Sequence, residues 1–350
     1  MACCATKRRV DVRKYDLCIG GYAGCGNLGD DAILEGYLAS LSAEQRKFRT
    51  VILTGRPRRD GRRFGVRCVG RKNLFSILRC FLQSKVFVCG GGSLLQNATG
   101  NLSLFYYLGL LHLARLCGCK TRLMSAGIGP VSGDFAKRAM IRTLQGCEEI
   151  EVRDSASEQF LLEHGIDRGV VRLAQDPAMQ LKTPPVSRLI FHKKELGLGR
   201  KEDYFCVVVR QDRELRGACL GKVAAALRMF LRERNLTPVF VVFDAKCDLC
   251  VTEKFCRSVG GVILRPDEAR DALSVISGGR FLLSMRLHAL VFASMTGVRG
   301  LAISPFDGET KIAAFAKSHR MVHLPPSKLT VPRLIEELER LDRDSFDCKI

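Results

Sequence analysis

The chain of 350 residues contains no tryptophan, and aromatic residues make up only 7% of it. No basic stripe interleaved with aromatics occurs and no nucleic-acid recognition module is recognisable, so nucleic acid is not expected as a partner. A membrane span is also missing. The longest stretch without Asp, Glu, Lys or Arg runs from Val86 to Ala114, and Gly90-Gly91-Gly92 and Gln96-Asn97 interrupt it. Met1 to Val10 lacks the apolar core of a secretory signal. The expected location is cytoplasmic, with peripheral contact at the inner face of an anionic membrane as a secondary expectation. Cys247-Asp248-Leu249-Cys250, with Cys256 nearby, has no second pair to complete a zinc-type spacing. The sixteen cysteines therefore read as structural or incidental, and Cys18, Cys89 and Cys206 as small hydrophobes inside apolar runs. No short repeat or low-complexity segment is evident.

Acidic residues are in deficit, 36 against 56 Lys and Arg, which leaves a formal net charge of +20. That excess suits an anionic partner, either a phosphorylated small molecule or an anionic membrane face. Arg56 to Arg63, followed by Arg67 and Arg71-Lys72, reads as a basic loop. Such a run is ordinarily a solvated face, and it is also the expected membrane contact.

Apolar runs alternate with helical periodicity along the chain. Strands are predicted at Tyr15–Gly20, Thr50–Thr54, Lys85–Cys89, Thr121–Ser125 and Glu149–Val152. A second series is predicted at Tyr204–Arg210, Thr237–Phe243, Gly261–Leu264 and Phe281–Ser284. Helices are predicted at 31–40, 73–82, 102–115, 220–234 and 246–259. The expected class is α/β, with two Rossmann-like parallel-sheet domains facing a central cleft. Residues 1–180 form the first domain (the acceptor side), 181–325 the second (the donor side), and 326–350 a C-terminal amphipathic helix and tail. The linker is expected within 178–203, which carries the charged stretch from His192 to Leu196.

The most informative segment runs from Ser284 to Gly297. A strand-turn-helix reading puts Arg286 and His288 at the junction. Positions two apart on a helix face nearly opposite ways, so the two can share a ligand only if Arg286 lies in the turn before the helix. Leu287, Leu290, Val291 and Ser294 then form the inward stripe. In open α/β sheets ligands bind beyond the carboxyl ends of strands. The bland alternative is an exposed arginine and a satisfied core histidine.

Three further loops are candidates. Gly20 to Asp31 follows the first strand and resembles neither a G-x-G-x-x-G fingerprint nor a Walker A loop, which would need a lysine. Asn27 and Asp30 are placed there as cleft-lining residues, and Asp30 also reads as an N-cap. Gly90-Gly91-Gly92-Ser93 implies a main-chain nest or close backbone approach, with Gln96 and Asn97 able to hydrogen-bond a sugar or a carboxylate. Val152-Arg153-Asp154 follows a strand, and Arg210 ends another.

These segments together resemble the polysaccharide pyruvyl transferases. The resemblance rests on Gly26-Asn27-Leu28-Gly29-Asp30, Gly90 to Gln96, Ala126 to Pro130, Val152-Arg153-Asp154, Gln175 to Ala178, Val209-Arg210 and Met285 to Leu290, in that order. It spans residues 15–320 and implies a GT-B-like fold. It also implies transfer of pyruvate from phosphoenolpyruvate to two hydroxyls of a sugar on a cell-wall or surface polysaccharide precursor. The products are a cyclic ketal and phosphate. By similarity, Arg153, Arg286, Leu287, His288 and Lys311 form the phosphoenolpyruvate-binding set, with Arg286 and His288 catalytic. Asn27, Asp30, Gly91, Gly92, Ser93, Gln96, Asn97 and Arg210 line the acceptor side. The partners implied are phosphoenolpyruvate and a sugar acceptor, lipid-diphosphate-linked in one version. No metal or other cofactor is expected. Three departures stand out: a longer turn before Lys311, Asn97 where the family has Asp, and Ala126 where Gln is common. Two alternatives remain. One is a glycosyltransferase using a nucleotide sugar, with Asp307 or Glu309 on the ribose. The other is a non-catalytic binding relative.

Overall fold

A computed structural model describes residues 13–97, 100–210, 217–308 and 310–347. The Met1–Val10 segment and Glu309 lie outside the described residues. The chain forms two compact units, each built on its own parallel sheet.

The first unit comprises residues up to Gly24 and Leu41–Ala174. Its strands are β1 (Tyr15–Gly20), β2 (Thr50–Thr54), β3 (Arg67–Gly70), β4 (Ser84–Gly90), β5 (Lys120–Ala126), β6 (Glu149–Val152) and β7 (Val171–Leu173), in the spatial order β3-β2-β1-β4-β5-β6-β7. Every neighbouring pair is parallel. The central strands have helices on both faces and read as continuous apolar runs; all five residues of β2 are buried. Phe81, Phe87, Tyr107, Leu111 and Met140 are among the side chains at the centre of this core.

The second unit comprises Cys25–Ser40 and residues from Gln175 onward. Its strands are β8 (Tyr204–Val208), β9 (Thr237–Val241), β10 (Val262–Leu264), β11 (Phe281–Ser284), β12 (Arg299–Ile303) and β13 (Val322–Leu324), in the order β10-β9-β8-β11-β12-β13. All pairs are again parallel. Cys18, Cys89 and Cys206 are buried in strands, and burial pushes the Cys89 thiol up to about 12.

The units divide the chain elsewhere than at the expected break after residue 180. The helix Leu28–Ser40 belongs to the second unit although it follows β1 directly. The C-terminal segment forms the expected helix, Val331–Asp347, which buries Leu334, Leu338 and Leu341 in the same core as Phe281 and Leu301. The charged stretch expected as linker is the helix Val186–Glu195, with His192 and Lys193 buried. Lys193 Nζ donates to the carbonyls of Arg200 and Glu202, at 2.8 Å each. The His192 ring lies between Glu195 and Asp271, 3.0 Å from each carboxylate. These partners satisfy polar groups whose burial would otherwise be costly.

The basic run 56–63 is likewise not a loop. Pro57–Phe64 is a helix, with proline at its first position, where its missing N–H costs nothing, and left-handed Gly65 ending it.

Candidate active site

The carboxyl edge of the second sheet carries the residues singled out at the Ser284–Gly297 junction. Ser284, the last residue of β11, accepts a hydrogen bond from Arg286 N at 2.9 Å and donates to Arg286 O at 2.8 Å. That double bond to the main chain holds Arg286 extended, as the N-cap of the helix Leu287–Met295. The helix axis therefore begins between Arg286 and His288, as the facing argument requires. The inward stripe is wider than expected. Ala289 to Ala293 are all buried, so the helix is surrounded, while Leu287 and Ser294 are only half-buried.

The Arg286 guanidinium meets Asp248 two-pronged, Nε to Oδ2 at 2.9 Å and Nη2 to Oδ1 at 2.6 Å. Asp244 Oδ2 stands 3.9 Å from the same Nη2. Asp248 is fully buried, and burial pushes its carboxyl up while the Arg286 charge pulls it down. Arg210, after β8, contributes a second, weaker cationic field at Asp248. Asp248 opens the helix Leu249–Val259 and is itself anchored, since its N–H donates to Asp244 O at 2.7 Å. Asp244 accepts from the N–H groups of Lys246 and Cys247, at 3.1 and 3.2 Å. The Cys247-to-Cys250 segment thus contributes its aspartate. Both flanking cysteines are exposed, and no group of three or more potential metal ligands occurs among the described residues.

His288, one position into the helix, points its ring at two other segments. Nε2 lies 3.3 Å from Asp176 Oδ2, close enough for an ion pair but out of line for a hydrogen bond. Asp176 is fixed by its other oxygen, which accepts from Ala178 N at 3.0 Å and caps the short turn Pro177–Gln180. The far side of the ring occupies the space left by Gly29. The loop expected to line a ligand site is where this packing occurs. Asn27, not Asp30, is the cap, its Oδ1 accepting from Gly29 N at 3.0 Å. Asn27 also pairs in an isolated bridge with Asp244, and Leu28 N donates to Phe243 O at 2.9 Å. Asp30 is buried in the first turn of the helix Leu28–Ser40.

Lys311 begins the helix Lys311–Ser318, after the turn that follows β12. That helix packs against Leu287–Met295, and β12 is the neighbour of β11, so Lys311 and His288 open adjacent helices on one sheet edge. Thr310 caps the Lys311 helix by accepting from Ala313 N at 3.0 Å. Asp307 is committed elsewhere. Its Oδ1 accepts from Ser327 N at 3.1 Å and from the Ser327 hydroxyl, bonds that hold its carboxyl below the ordinary range.

The first unit presents its own carboxyl edge. Gly91 and Gly92 have φ of 100° and 69°, a left-handed path that suits glycine. The expected nest is partly closed, because Gly91 N donates to Met124 O at 3.3 Å and Gly92 O accepts from Gly127 N at 3.0 Å. Ser93 is exposed and Gln96 half-buried. Asn97 fastens a loop with both ends of its amide. Oδ1 accepts from Ser132 N and Nδ2 donates to Ser132 O, at 2.8 Å each. Arg153 follows β6 and is half-buried, while Asp154 caps the helix Ser155–Glu163 through Ser157 N at 2.8 Å. Ala126 is buried at the end of β5, opposite an irregularity in the β5–β6 register.

Within the second unit, then, the fold brings Arg286, His288 and Arg210 to one sheet edge with Asn27 and Asp30, and adds Asp244, Asp248 and Asp176, which were not singled out as site residues. The Gln175-Asp176-Pro177 segment was visible as a motif. Nothing local marked Asp176 as the partner of an imidazole 112 positions further on.

A family model for polysaccharide pyruvyl transferases matches residues 27–307. No curated protein sequence matches the chain significantly. Among solved structures, the UDP-GlcNAc 2-epimerase of Methanocaldococcus jannaschii superposes with a TM-score of 0.62 at 9% identity, covering 92% of each chain. The Neisseria meningitidis UDP-GlcNAc 2-epimerase, solved with UDP-GlcNAc, gives 0.62 at 11% identity, covering 93% of this chain and 91% of that one. Anabaena HepE, solved with UDP and glucose, gives 0.61 at 10% identity, covering 94% and 89%. At such identities the likeness establishes the GT-B fold alone. No helix among the described residues is long and apolar enough to cross a membrane.

Proposed function

We propose, for a chain that belongs to the polysaccharide pyruvyl transferase family, that it moves pyruvate from phosphoenolpyruvate onto two hydroxyls of a sugar in a polysaccharide precursor. The observation that carries this reading is the Arg286–His288 junction. There a guanidinium and an imidazole flank one helix start, each set by its own buried carboxylate, Asp248 or Asp176.

Phosphoenolpyruvate carries a phosphate and a carboxylate, and both need fixed cations. Arginine supplies planar two-pronged contacts, lysine a point charge. In the proposed site Arg286 presents Nη1, the guanidinium nitrogen that Asp248 leaves over, and Lys311 supplies further charge; Arg153 is the candidate cation of the first unit. Leu287 provides the apolar floor and main-chain N–H at the helix start. His288 delivers a proton to the methylene carbon, and an oxocarbenium-like centre develops at the adjacent carbon. One sugar hydroxyl adds there, the bond to phosphate oxygen breaks, and the second hydroxyl closes the ketal. Of the two hydroxyl protons, one restores His288 and the other leaves with phosphate. Asp176, 3.3 Å from Nε2, holds the ring's orientation. The proposed acceptor-side residues are Asn27, Asp30 and Arg210 in the second unit, and Gly91, Gly92, Ser93, Gln96 and Asn97 in the first. Asn97 and Gly91 would contribute there mainly by shaping loops, since their polar groups are engaged.

The test is phosphate release from phosphoenolpyruvate with a panel of lipid-diphosphate sugar mimics, beside thermal shifts with phosphoenolpyruvate and with nucleotide sugars. Release with at least one acceptor, abolished in folded His288→Ala and Arg286→Ala, is expected. Normal turnover by either variant would refute the assigned roles. Stabilisation by a nucleotide sugar and none by phosphoenolpyruvate would favour a glycosyltransferase. Asp307, whose carboxylate is held by Ser327, speaks against that outcome.

A further inference from the structure

Three neighbouring helices of the first unit each begin with a large apolar side chain in solvent. They are Leu74–Leu82, Asn101–Leu116 and Asp134–Leu144, and the first packs against the second and the second against the third. Leu74 is 67% exposed, Phe75 76%, Leu102 89% and Phe135 72%. In a parallel α/β sheet the helices run back against the strands, so these first turns share the carboxyl edge. Side-chain contacts fix their proximity. The Tyr106 hydroxyl, one turn beyond Leu102, donates to Arg71 O, just ahead of Leu74. The rings of Phe105 and Phe135 lie 5.9 Å apart between the second and third helices. Leu78 and Leu82 extend the exposed face along the first helix, while Ile77, Cys80 and Phe81 face the core. Ordinary proteins scatter single exposed hydrophobes, and a contiguous row of them marks a contact surface.

The charge around the row selects its partner. Near the row the helices carry Arg79, Lys137 and Arg138 against the single carboxylate of Asp134, while Arg115 and Arg142 lie in last turns at the other end. Lys72, at the entry to the first helix, and Arg79 and Arg138 are exposed. Arg71 is not part of this rim, because its guanidinium is enclosed by the rings of Tyr22, Tyr106 and Tyr107 at 5.0–5.5 Å. A protein partner would supply carboxylates at points. A bilayer of anionic phospholipid supplies a continuous apolar layer under a sheet of negative charge, which matches large side chains standing out among cations.

We infer that the row Leu74, Phe75, Leu102 and Phe135, with Lys72, Arg79 and Arg138 around it, seats the protein peripherally on an anionic phospholipid bilayer. The surface shares only Lys72 with the basic stretch first expected at a membrane, and the inference does not depend on the donor substrate or the chemistry proposed above.

Co-sedimentation of the full chain with phosphatidylcholine vesicles, with and without about one-third phosphatidylglycerol, tests it. Binding is expected to the anionic vesicles. Phe75→Ser/Leu102→Ser/Phe135→Ser should weaken it at least tenfold. Each of Lys72→Glu, Arg79→Glu and Arg138→Glu should weaken it at least fivefold, since loss of one cation at an anionic surface alone corresponds to about 1 kcal/mol. Phe191→Ser, at an exposed position in the other unit, should bind as the parent does. All the substituted side chains are exposed, and unchanged thermal melting would confirm intact folding. Three outcomes would each overturn the inference. One is no binding to anionic vesicles. Another is undiminished binding by the triple serine variant, which would reduce the effect to net charge. The third is a concentration-dependent dimer that this variant abolishes, which would make a second copy of the chain the occupant.

Discussion

A β-carbon on Gly29 would stand 2.2 Å from Nδ1 of His288. The imidazole is therefore shaped from behind by the absence of a side chain on a different helix. Gly36, two turns along, has the same relation to the Pro177 carbonyl, where a β-carbon would fall 1.8 Å from the oxygen. The two glycines let one helix lie against both His288 and the segment that carries Asp176. Gly29→Ala should displace the imidazole and cut turnover more than tenfold, at about 1 kcal/mol of stability. Gly36→Ala meets main chain that cannot rotate away and should cost about 3 kcal/mol. Denaturant melts and steady-state rates of both variants check the contrast. Equal effects on stability and rate would remove it.

His288 is expected to act with Asp176. His288→Ala should lower kcat by about 10²–10⁴, the range for loss of a proton-transferring group. Asp176→Asn keeps the cap to Ala178 N but removes the charge beside the ring, and should lower kcat by about ten- to a hundredfold with KM little changed. A kcat unaffected by Asp176→Asn would leave the aspartate a purely structural cap.

Asp248 is a positioning residue for Arg286. Asp248→Asn leaves a buried guanidinium facing a neutral amide, with Asp244 at 3.9 Å as its remaining carboxylate. Breaking a buried pair costs about 3–5 kcal/mol, and the lower end is expected because Asp244 stays. The KM for phosphoenolpyruvate should rise at least tenfold, since Nη1 is no longer aimed. Loss of stability with unchanged KM would show that the pair holds the fold and not the ligand.

Asp16 gives a pH signature far from the site. Arg49 bonds both its oxygens, at 2.9 and 2.7 Å, and Lys85 adds a contact at 3.1 Å. Arg49, opposed by partial burial and aided by Lys85, holds the Asp16 carboxyl down at about 2, against an ordinary 3.8. A depressed carboxyl stabilises the fold fully above its unfolded value and ceases to do so as pH falls through the folded one. Asp16→Asn should therefore be less stable near neutral pH, by about 0.5–1 kcal/mol after solvent screening. The difference should fade as pH falls from about 4 to about 2. Urea titrations across that window decide it.

The Asn97 amide is predicted to be required as an amide. Asn97→Asp would set a carboxylate oxygen against the Ser132 carbonyl that Nδ2 now reaches at 2.8 Å. A loss of about 1–2 kcal/mol is expected, because one donor becomes an acceptor facing an acceptor. Unchanged melting would mean the loop holds without this clasp.

The strands that lie between others were legible, except Arg299–Ile303, because burial on two faces leaves continuous apolar runs, as in Thr50–Thr54 and Tyr204–Val208. Of the edge strands Val262–Leu264 was legible, while Arg67–Gly70, Val171–Leu173 and Val322–Leu324 escaped. Arg67–Gly70 and Val322–Leu324 are short and half-exposed, so no pattern marks them. The basic run 56–63 hid a helix because arginines suit a solvated helix face as well as a loop. Arg286 was placed in the turn before the helix by facing geometry alone, and it stands there as the N-cap. Its carboxylate was illegible. Asp248 lies 38 positions away, between two cysteines that drew attention to themselves. Pairing at that range is decided by sheet order, which periodicity does not encode. The same holds for His192 and Lys193, whose charge suggested a linker and whose burial depends on partners that only packing supplies.

The helix Leu28–Ser40 is assigned to the second unit, and the rest of that unit begins at Gln175. During synthesis it leaves the ribosome long before the surface that receives it exists. Its apolar side chains must wait, unsheltered, while the intervening polypeptide is made. Maturation should thus be slow for a protein of this helical content, and dependent on holding chaperones. A fragment starting at Gln175 would lack a wall of its own interior, and supplying residues 25–40 as a separate peptide should restore it.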